Sequence, residues 1–195
     1  MKMVQAMVMS MVTAAVLAAS QSGHEGHKHS DELKEVVKTG KEASKLLLKT
    51  LGGNMKKHMK AGGPAEALEF CSANAAALTA DVDTKLGKGV AIKRITLKPR
   101  NPANEAQGSE RAVLEALQTL KANGVQLPRH LVQKTPEGYR YYKPLLISKP
   151  VCLKCHGEKI APGFKKKILS IYPDDNATGY RMGDLRGAIV VDIKK

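Results

Sequence analysis

One stretch of the chain, Pro-Val-Cys-Leu-Lys-Cys-His-Gly at residues 150–157, decides how the rest is interpreted. It places Cys152 and Cys155 three positions apart, with His156 directly after them, which is the C-x-x-C-H pattern of covalent c-type haem attachment. On one helical turn both sulfurs reach the vinyl groups of one porphyrin, and the imidazole then faces the iron. The pattern therefore predicts one covalently attached haem c. A dithiol redox pair with an incidental histidine, or half of a zinc site, would use the same cysteines.

The first residues have the features of a secretory signal peptide, predicted at residues 1–20. Lys2 gives a positive start, residues 3–18 are almost entirely apolar, and small residues suitable for cleavage follow. An uncleaved membrane anchor is the alternative, but the apolar run is short for a membrane span. Covalent haem attachment normally follows export, so the two signals support each other. We expect an exported, periplasmic protein with no stable membrane span after cleavage.

Composition and charge limit the classes of protein and partner. The chain has 195 residues, of which 43% are apolar, enough for one domain with a hydrophobic core. Its formal charge is +14, from 32 basic and 18 acidic residues spread along the sequence. No nucleic-acid-binding motif accompanies this charge, so we expect no nucleic-acid partner. A basic exported protein instead favours an acidic redox partner protein.

The N-terminal half of the mature chain is predicted to be helical. Residues 21–30 are expected to be a disordered, histidine-rich segment, in which metal binding by His24, His27 and His29 is the less common alternative. Apolar residues at helical spacing then predict a helix over residues 31–51, ended by Gly52-Gly53, with a short helix at 54–60.

A second helix is predicted to start after Gly62-Gly63, with Pro64 in its first turn. Over residues 65–81 its apolar positions recur at intervals of three and four, which directs Cys71 into the core. Small neighbours leave room there for a bulky group. A buried, inert cysteine is the ordinary interpretation, since free cysteine is among the most buried residue types. Cys71 is nevertheless the odd cysteine of an exported protein with three.

The C-terminal half is predicted to be rich in strands. Strands are expected at residues 87–97, 139–147 and 186–193, and helices at 109–122 and 161–169. Residues 98–104, with two prolines and two asparagines, predict a rigid loop, and residues 172–180 a long turn. Helices followed by mostly antiparallel strands indicate an α+β fold in a single domain.

Four stretches in order along the chain carry a family resemblance: residues 93–104, 139–145, 152–157 and 177–188. They resemble the PAS-like c-type haem domains, which occur as small exported bacterial proteins and as sensor portions of histidine kinases. The resemblance covers about residues 31–195. It implies a PAS-like antiparallel sheet of about five strands with N-terminal helices packed alongside. It also implies an iron held by two axial ligands, which here fall on His156 and Cys71.

With both axial positions filled, the resemblance favours a non-enzymatic redox sensor, or a gas sensor if the thiolate bond opens on reduction. A periplasmic electron carrier is the alternative, a peroxidase-like enzyme needs an open axial side, and a homodimer is compatible with either role. Candidate contacts to the haem propionates or pocket are Arg94, Arg100, Tyr141, Tyr180 and Arg186. If Cys71 is not the ligand, the next candidates are Met55, His58, Met59, His130 and Met182.

Overall fold

The structure is a computed structural model that describes the backbone of residues 19–195 and the side chains from residue 29 onwards. The predicted signal peptide, except its last two residues, and the side chains of His24 and His27 lie outside the described residues. The described part of the chain falls into two units, residues 19–35 and residues 36–195. In the first unit the described backbone is helical from Ala19, where we expected disorder over residues 21–30. Extending an existing helix requires no new nucleation, which accounts for the longer helix. None of the described helices is long and apolar enough to cross a bilayer.

Helix α1, Ala19–Leu86, is divided by a kink at Gly62 and Gly63. The helix continues through Gly52-Gly53, so the predicted end there is wrong, whereas the predicted restart at Pro64 is confirmed. Gly63 has a φ of 74°, a left-handed conformation that glycine adopts without steric strain. We call residues 19–61 the first arm and residues 64–86 the second arm. Across the kink, Nδ1 of His58 lies 2.9 Å from Oε1 of Glu66.

The strands form one antiparallel sheet in the order β1-β4-β3-β2. Their bounds are β1 Val90–Ile95, β2 Leu131–Thr135, β3 Gly138–Leu146 and β4 Leu185–Lys194. The described residues thus contain four strands in this sheet, where about five were expected. Residues 172–184 contribute only an isolated bridge between Gly157 and Tyr180. The predicted α+β class is confirmed, and β2 is the strand that the sequence pattern did not reveal.

The remaining helices are α2 Gly108–Ala122, α3 Pro150–His156 and α4 Pro162–Ile171, with a 3₁₀ turn at Pro102–Asn104. Successive residues of β3 and β4 point to opposite faces of the sheet, as strand geometry requires. One face packs on both arms of α1 through Ala43, Leu47, Val82, Ile92, Tyr141, Ile189 and Val191. The other face packs on α2 through Ile95, Ala106, Leu114, Leu117, Tyr142, Ala188 and Val190. Both faces of the sheet are therefore covered by helices.

Gly40 lies where the first arm meets the ring of Tyr141, and a β-carbon added at Gly40 would overlap three ring atoms. Because Tyr141 is fully buried and cannot move freely, we expect Gly40→Ala to lower the free energy of unfolding by about 1–3 kcal/mol. Gly53 is the matched control, since its β-carbon would meet nothing within 4 Å. Gly53→Ala should raise the free energy of unfolding by about 0.5–1 kcal/mol through helix propensity. Urea denaturation of both variants measures this, and equal effects would contradict the packing role of Gly40.

Candidate functional site

The chemistry-bearing residues of the C-x-x-C-H motif line one cavity together with the cysteine of the second arm. Helix α3 contributes Cys152, Cys155 and His156, and the second arm of α1 contributes Cys71. The cavity has a volume of about 370 Å³, within the range of roughly 300–1,000 Å³ typical of ligand and cofactor pockets. Two elements separated by about eighty residues in sequence thus place their reactive side chains around the same space.

Much of the wall of this cavity is apolar, with small side chains on the second arm. Residues Ala67, Leu68, Ser72, Ala75 and Ala76 of the second arm line it, and Met55 and Met59 line it from the first arm. The end of β3 and the start of α3 add Leu145, Leu146, Ile147 and Val151. A large apolar group fits such a lining better than a small polar ligand.

The thiols and imidazole surround a space and do not converge on a point. Within the described part of the chain, no three histidine, cysteine, aspartate or glutamate side chains are grouped closely enough to hold a metal ion. The three cysteines are free thiols. This geometry does not support the zinc interpretation of the motif, and it leaves room for a group larger than an ion between Cys71 and His156.

His156 is held in one orientation by a hydrogen bond from its Nδ1 to the carbonyl oxygen of Ala177, at 2.7 Å. Burial lowers the pKa of His156 to about 3, and the nearby cations Arg186 and Arg100 contribute to the lowering. The imidazole is therefore neutral at ordinary pH. With the proton on Nδ1 donated to Ala177, Nε2 keeps its lone pair, which is the arrangement commonly seen for histidine ligands of metals.

A buried ion pair supports the loop that carries Ala177. Arg100 donates from Nε and Nη2 to the two carboxylate oxygens of Asp175, at 3.1 and 2.9 Å. The same carboxylate accepts the backbone N–H of Ala177 at 2.9 Å, and Arg100 also donates to the carbonyl of Cys155 at 2.6 Å. Asp175 was not predicted from the sequence, although an aspartate two residues before the N–H that it accepts is a known turn pattern.

Cys71 shares its side of the cavity with an arginine. Burial raises the pKa of the Cys71 thiol, and Arg94 partly opposes that rise. Nε of Arg94 is buried and has no hydrogen-bond partner among the described residues. A metal that binds a raised-pKa thiol displaces its proton, and a cation beside the sulfur stabilises the thiolate that results.

A second guanidinium, that of Arg186, is also buried beside the cavity. Arg186 donates from Nη1 to Oγ1 of Thr96 at 2.7 Å, and burial lowers the pKa of Arg186. Among the described residues, neither Arg94 nor Arg186 forms an ion pair with a carboxylate. The cavity wall therefore presents two positive groups that would be better satisfied by an anionic ligand.

Of the five residues predicted as cofactor contacts, the three arginines line the cavity and the two tyrosines do not. Tyr141 lies in the core between the sheet and α1, because its strand position turns it to that face. Tyr180 contacts His156 in an edge-to-face arrangement, with 6.3 Å between the ring centroids. The cavity is also lined by Asn101, Asn104 and Tyr172, which were not predicted as contacts from the sequence.

Of the five alternative iron ligands, two line the cavity and three do not. Met55 and Met59 line the cavity. His58 contacts Glu66 and stacks on Phe70 at 3.9 Å between ring centroids, so its ring is already engaged. His130 lines a different cavity, and Met182 is an exposed residue in the loop before β4.

Comparison with known proteins gives the chain a family. A structural search finds the crystal structure of the cyanobacterial heme-protein Tll0287, with a TM-score of 0.56 and 26% sequence identity. The similarity covers 85% of this chain and 96% of that one. No curated protein sequence matches. The family model of the Tll0287-like proteins matches residues 5–194, nearly the whole chain, and the protein therefore belongs to the Tll0287-like family.

Proposed function

We propose that the cavity holds one haem c, attached through Cys152 and Cys155, with His156 and Cys71 as the axial ligands of its iron. The observation that carries the proposal is the position of Cys71, which lines the same cavity as the C-x-x-C-H motif although it lies on another helix. The similarity to a haem protein of a cyanobacterium supports it. Bound haem supplies a one-electron couple that the amino acids of the chain do not provide.

The residues of the chain hold and tune this group. Ala177 fixes the His156 ring and leaves Nε2 free to bind. Arg94 would balance the charge of a Cys71 thiolate. Arg94 and Arg186 line the cavity without a carboxylate partner among the described residues, and they would pair with the haem propionates. The apolar lining excludes water, which strengthens these electrostatic interactions.

We propose a redox sensor in the periplasm, the role that the resemblance to PAS-like haem domains of sensor proteins favours. Two protein ligands would leave no iron position for a substrate, which argues against catalysis. A Cys71 thiolate would favour the ferric state, so reduction or protonation of the sulfur would weaken its hold on the iron and would change how the second arm is held. Loss of that bond would also open a position for CO or NO. An electron carrier is the second candidate, and the formal charge of +14 favours it because a basic surface attracts an acidic partner. Electron exchange that slows steeply with added salt distinguishes the carrier from the sensor.

The test is the ferric spectrum of the full chain produced with a c-type haem maturation system. We expect haem that stays attached after denaturation, and low-spin thiolate signals in electron paramagnetic resonance. Cys71→Ser should abolish the thiolate signals while the covalent haem remains. Met59→Leu is the matched control, since Met59 lines the same cavity, and it should leave the spectrum unchanged. An unchanged spectrum in Cys71→Ser would refute the ligand assignment, and protein without covalent haem would refute the whole proposal.

A further inference from the structure

A second cavity, of about 560 Å³, lies between the first arm of α1 and the sheet. The first arm lines it with Lys41, Lys45 and Lys49, which follow one another at intervals of four residues and so share one face of the helix. Arg129 and Lys143 line it from the other side. We call this cavity the basic pocket. Its remaining lining residues are Ser44, Leu48, His130 and Tyr141, and none of its lining residues is acidic.

In the described part of the chain, the five cations of the basic pocket lack the carboxylate partners that some other basic residues have. Lys93, Arg100 and Arg140, for example, each pair with a carboxylate at 2.5–2.9 Å. No ion pair to a carboxylate is found for the five pocket cations within the described residues, and Lys143 donates only to the carbonyl of Arg129, at 3.2 Å. Like charges gathered around a concave space repel one another, and a bound anion relieves that repulsion.

Two residues that line the basic pocket have buried polar atoms without hydrogen-bond partners among the described residues. Ser44 is 2% exposed, and its Oγ has no hydrogen-bond partner among the described residues. Nδ1 of His130 is likewise buried without a partner. Buried polar atoms are nearly always hydrogen-bonded in folded proteins, and each exception calls for a specific explanation. A ligand oxygen in the basic pocket would satisfy the Ser44 hydroxyl.

The pocket also has an apolar side. The ring of Tyr141 stacks on that of His130 at 5.4 Å between centroids, and Leu48 is an exposed leucine at the rim. A small inorganic anion would leave this side uncovered.

We propose that the basic pocket binds a multivalent anion built from phosphate on an apolar or aromatic body. Arginine binds phosphate oxygens through its planar fork and lysine through its point charge, which matches the composition of this pocket. Such a phosphate belongs either to a free organic phosphate or to the headgroup of an anionic lipid. The site is separate from the haem cavity, so its occupancy does not depend on the proposed haem ligation.

The experiment measures binding of pyrophosphate and of phenyl phosphate to the haem-loaded full chain by calorimetry at fixed ionic strength. We expect saturable binding to one site, weakened at least about tenfold in Lys45→Gln/Arg129→Gln. Ser44→Ala, which changes no charge, should weaken binding by a smaller factor. The control Lys165→Gln/Lys166→Gln removes the same number of charges from α4, whose residues do not line the basic pocket. This variant should bind the probes as the unmodified protein does. Circular dichroism melting checks that the variants are folded.

Flotation with vesicles of phosphatidylglycerol, against phosphatidylcholine vesicles, separates the two sources of phosphate. Vesicle binding that is lost in Lys45→Gln/Arg129→Gln, but not in the α4 control, assigns the site to a lipid headgroup. Binding of the soluble probes alone assigns it to a free organic phosphate. Equal weakening by the control, or no binding of any probe, would overturn the proposal.

Discussion

Replacing Asp175 with alanine is expected to lower the free energy of unfolding by about 3–5 kcal/mol. The side chain of Asp175 is 1% exposed and that of Arg100 is 12% exposed, so their ion pair is shielded from water. Removing the carboxylate leaves the guanidinium of Arg100 buried without its counter-charge. It also leaves the N–H of Ala177 without its acceptor. Loss of one partner of a buried pair is among the few changes that destabilise a protein this strongly.

Urea denaturation of matched variants tests this expectation. Asp175→Asn keeps an acceptor for the Ala177 N–H and should be less harmful than Asp175→Ala. Arg100→Met combined with Asp175→Ala removes both charges and should regain part of the loss. The control is Glu158→Ala, which breaks the exposed pair of Glu158 with Arg181 and should change stability by no more than about 1 kcal/mol. If Asp175→Ala is no more harmful than this control, the buried pair is not a structural support.

The same substitution has a spectroscopic consequence in the haem-loaded protein. Asp175 fixes Ala177, and Ala177 accepts the hydrogen bond that orients His156. A histidine whose second nitrogen loses a fixed acceptor becomes a less basic and less well oriented ligand. We therefore expect Asp175→Ala to alter the ferric spectrum of the protein that is still folded. Asp175→Asn, which keeps an acceptor for the Ala177 N–H, should alter it less, and Glu158→Ala should not alter it.

Local chemistry explains what the sequence predicted correctly. The C-x-x-C-H motif needs only one helical turn, and the structure provides it in α3. Helical spacing placed Cys71 on the inner side of the second arm, where it is half-buried and lines the cavity. Pro64 marked the start of the second arm. The hydrophobic run of β4 was long enough to identify a strand, and the sheet order shows that this strand is central. Each of these features is decided within about ten residues.

The predictions that were wrong or missed depend on contacts between distant segments. Gly52-Gly53 has the composition of a helix end, but both glycines have ordinary helical backbone, and packing of the surrounding first arm keeps the helix intact. Tyr141 faces α1 because alternation along β3 turns it there, away from the cavity at the end of the strand. Asp175 acquires its role only when the loop at residues 98–104 meets the turn at residues 172–180. The spacing of residues within one segment does not predict which distant segment it will contact.

Replacing Cys71 with methionine is expected to raise the reduction potential of the haem-loaded protein by on the order of a hundred millivolts or more. Axial ligands set haem potentials over a range of about 0.8 V, and exchange of an anionic thiolate for a neutral thioether is a large change within it. The thiolate stabilises the ferric state, whereas the thioether stabilises the ferrous state. Arg94 adds to the effect, because its positive charge beside the site is no longer balanced by the sulfur.

A redox titration of the unmodified protein, Cys71→Met and Met59→Leu measures the shift. Met59→Leu removes a thioether from the same cavity without touching the proposed ligand, so its potential should stay close to that of the unmodified protein. A shift in Met59→Leu with none in Cys71→Met would instead identify Met59 as the ligand. A shift confined to Cys71→Met would tie the potential to the second arm. In the proposed ligation, a bond between the sulfur of Cys71 and the iron would join α1 to α3 and would weaken on reduction, which gives a change of oxidation state a physical route to the rest of the fold.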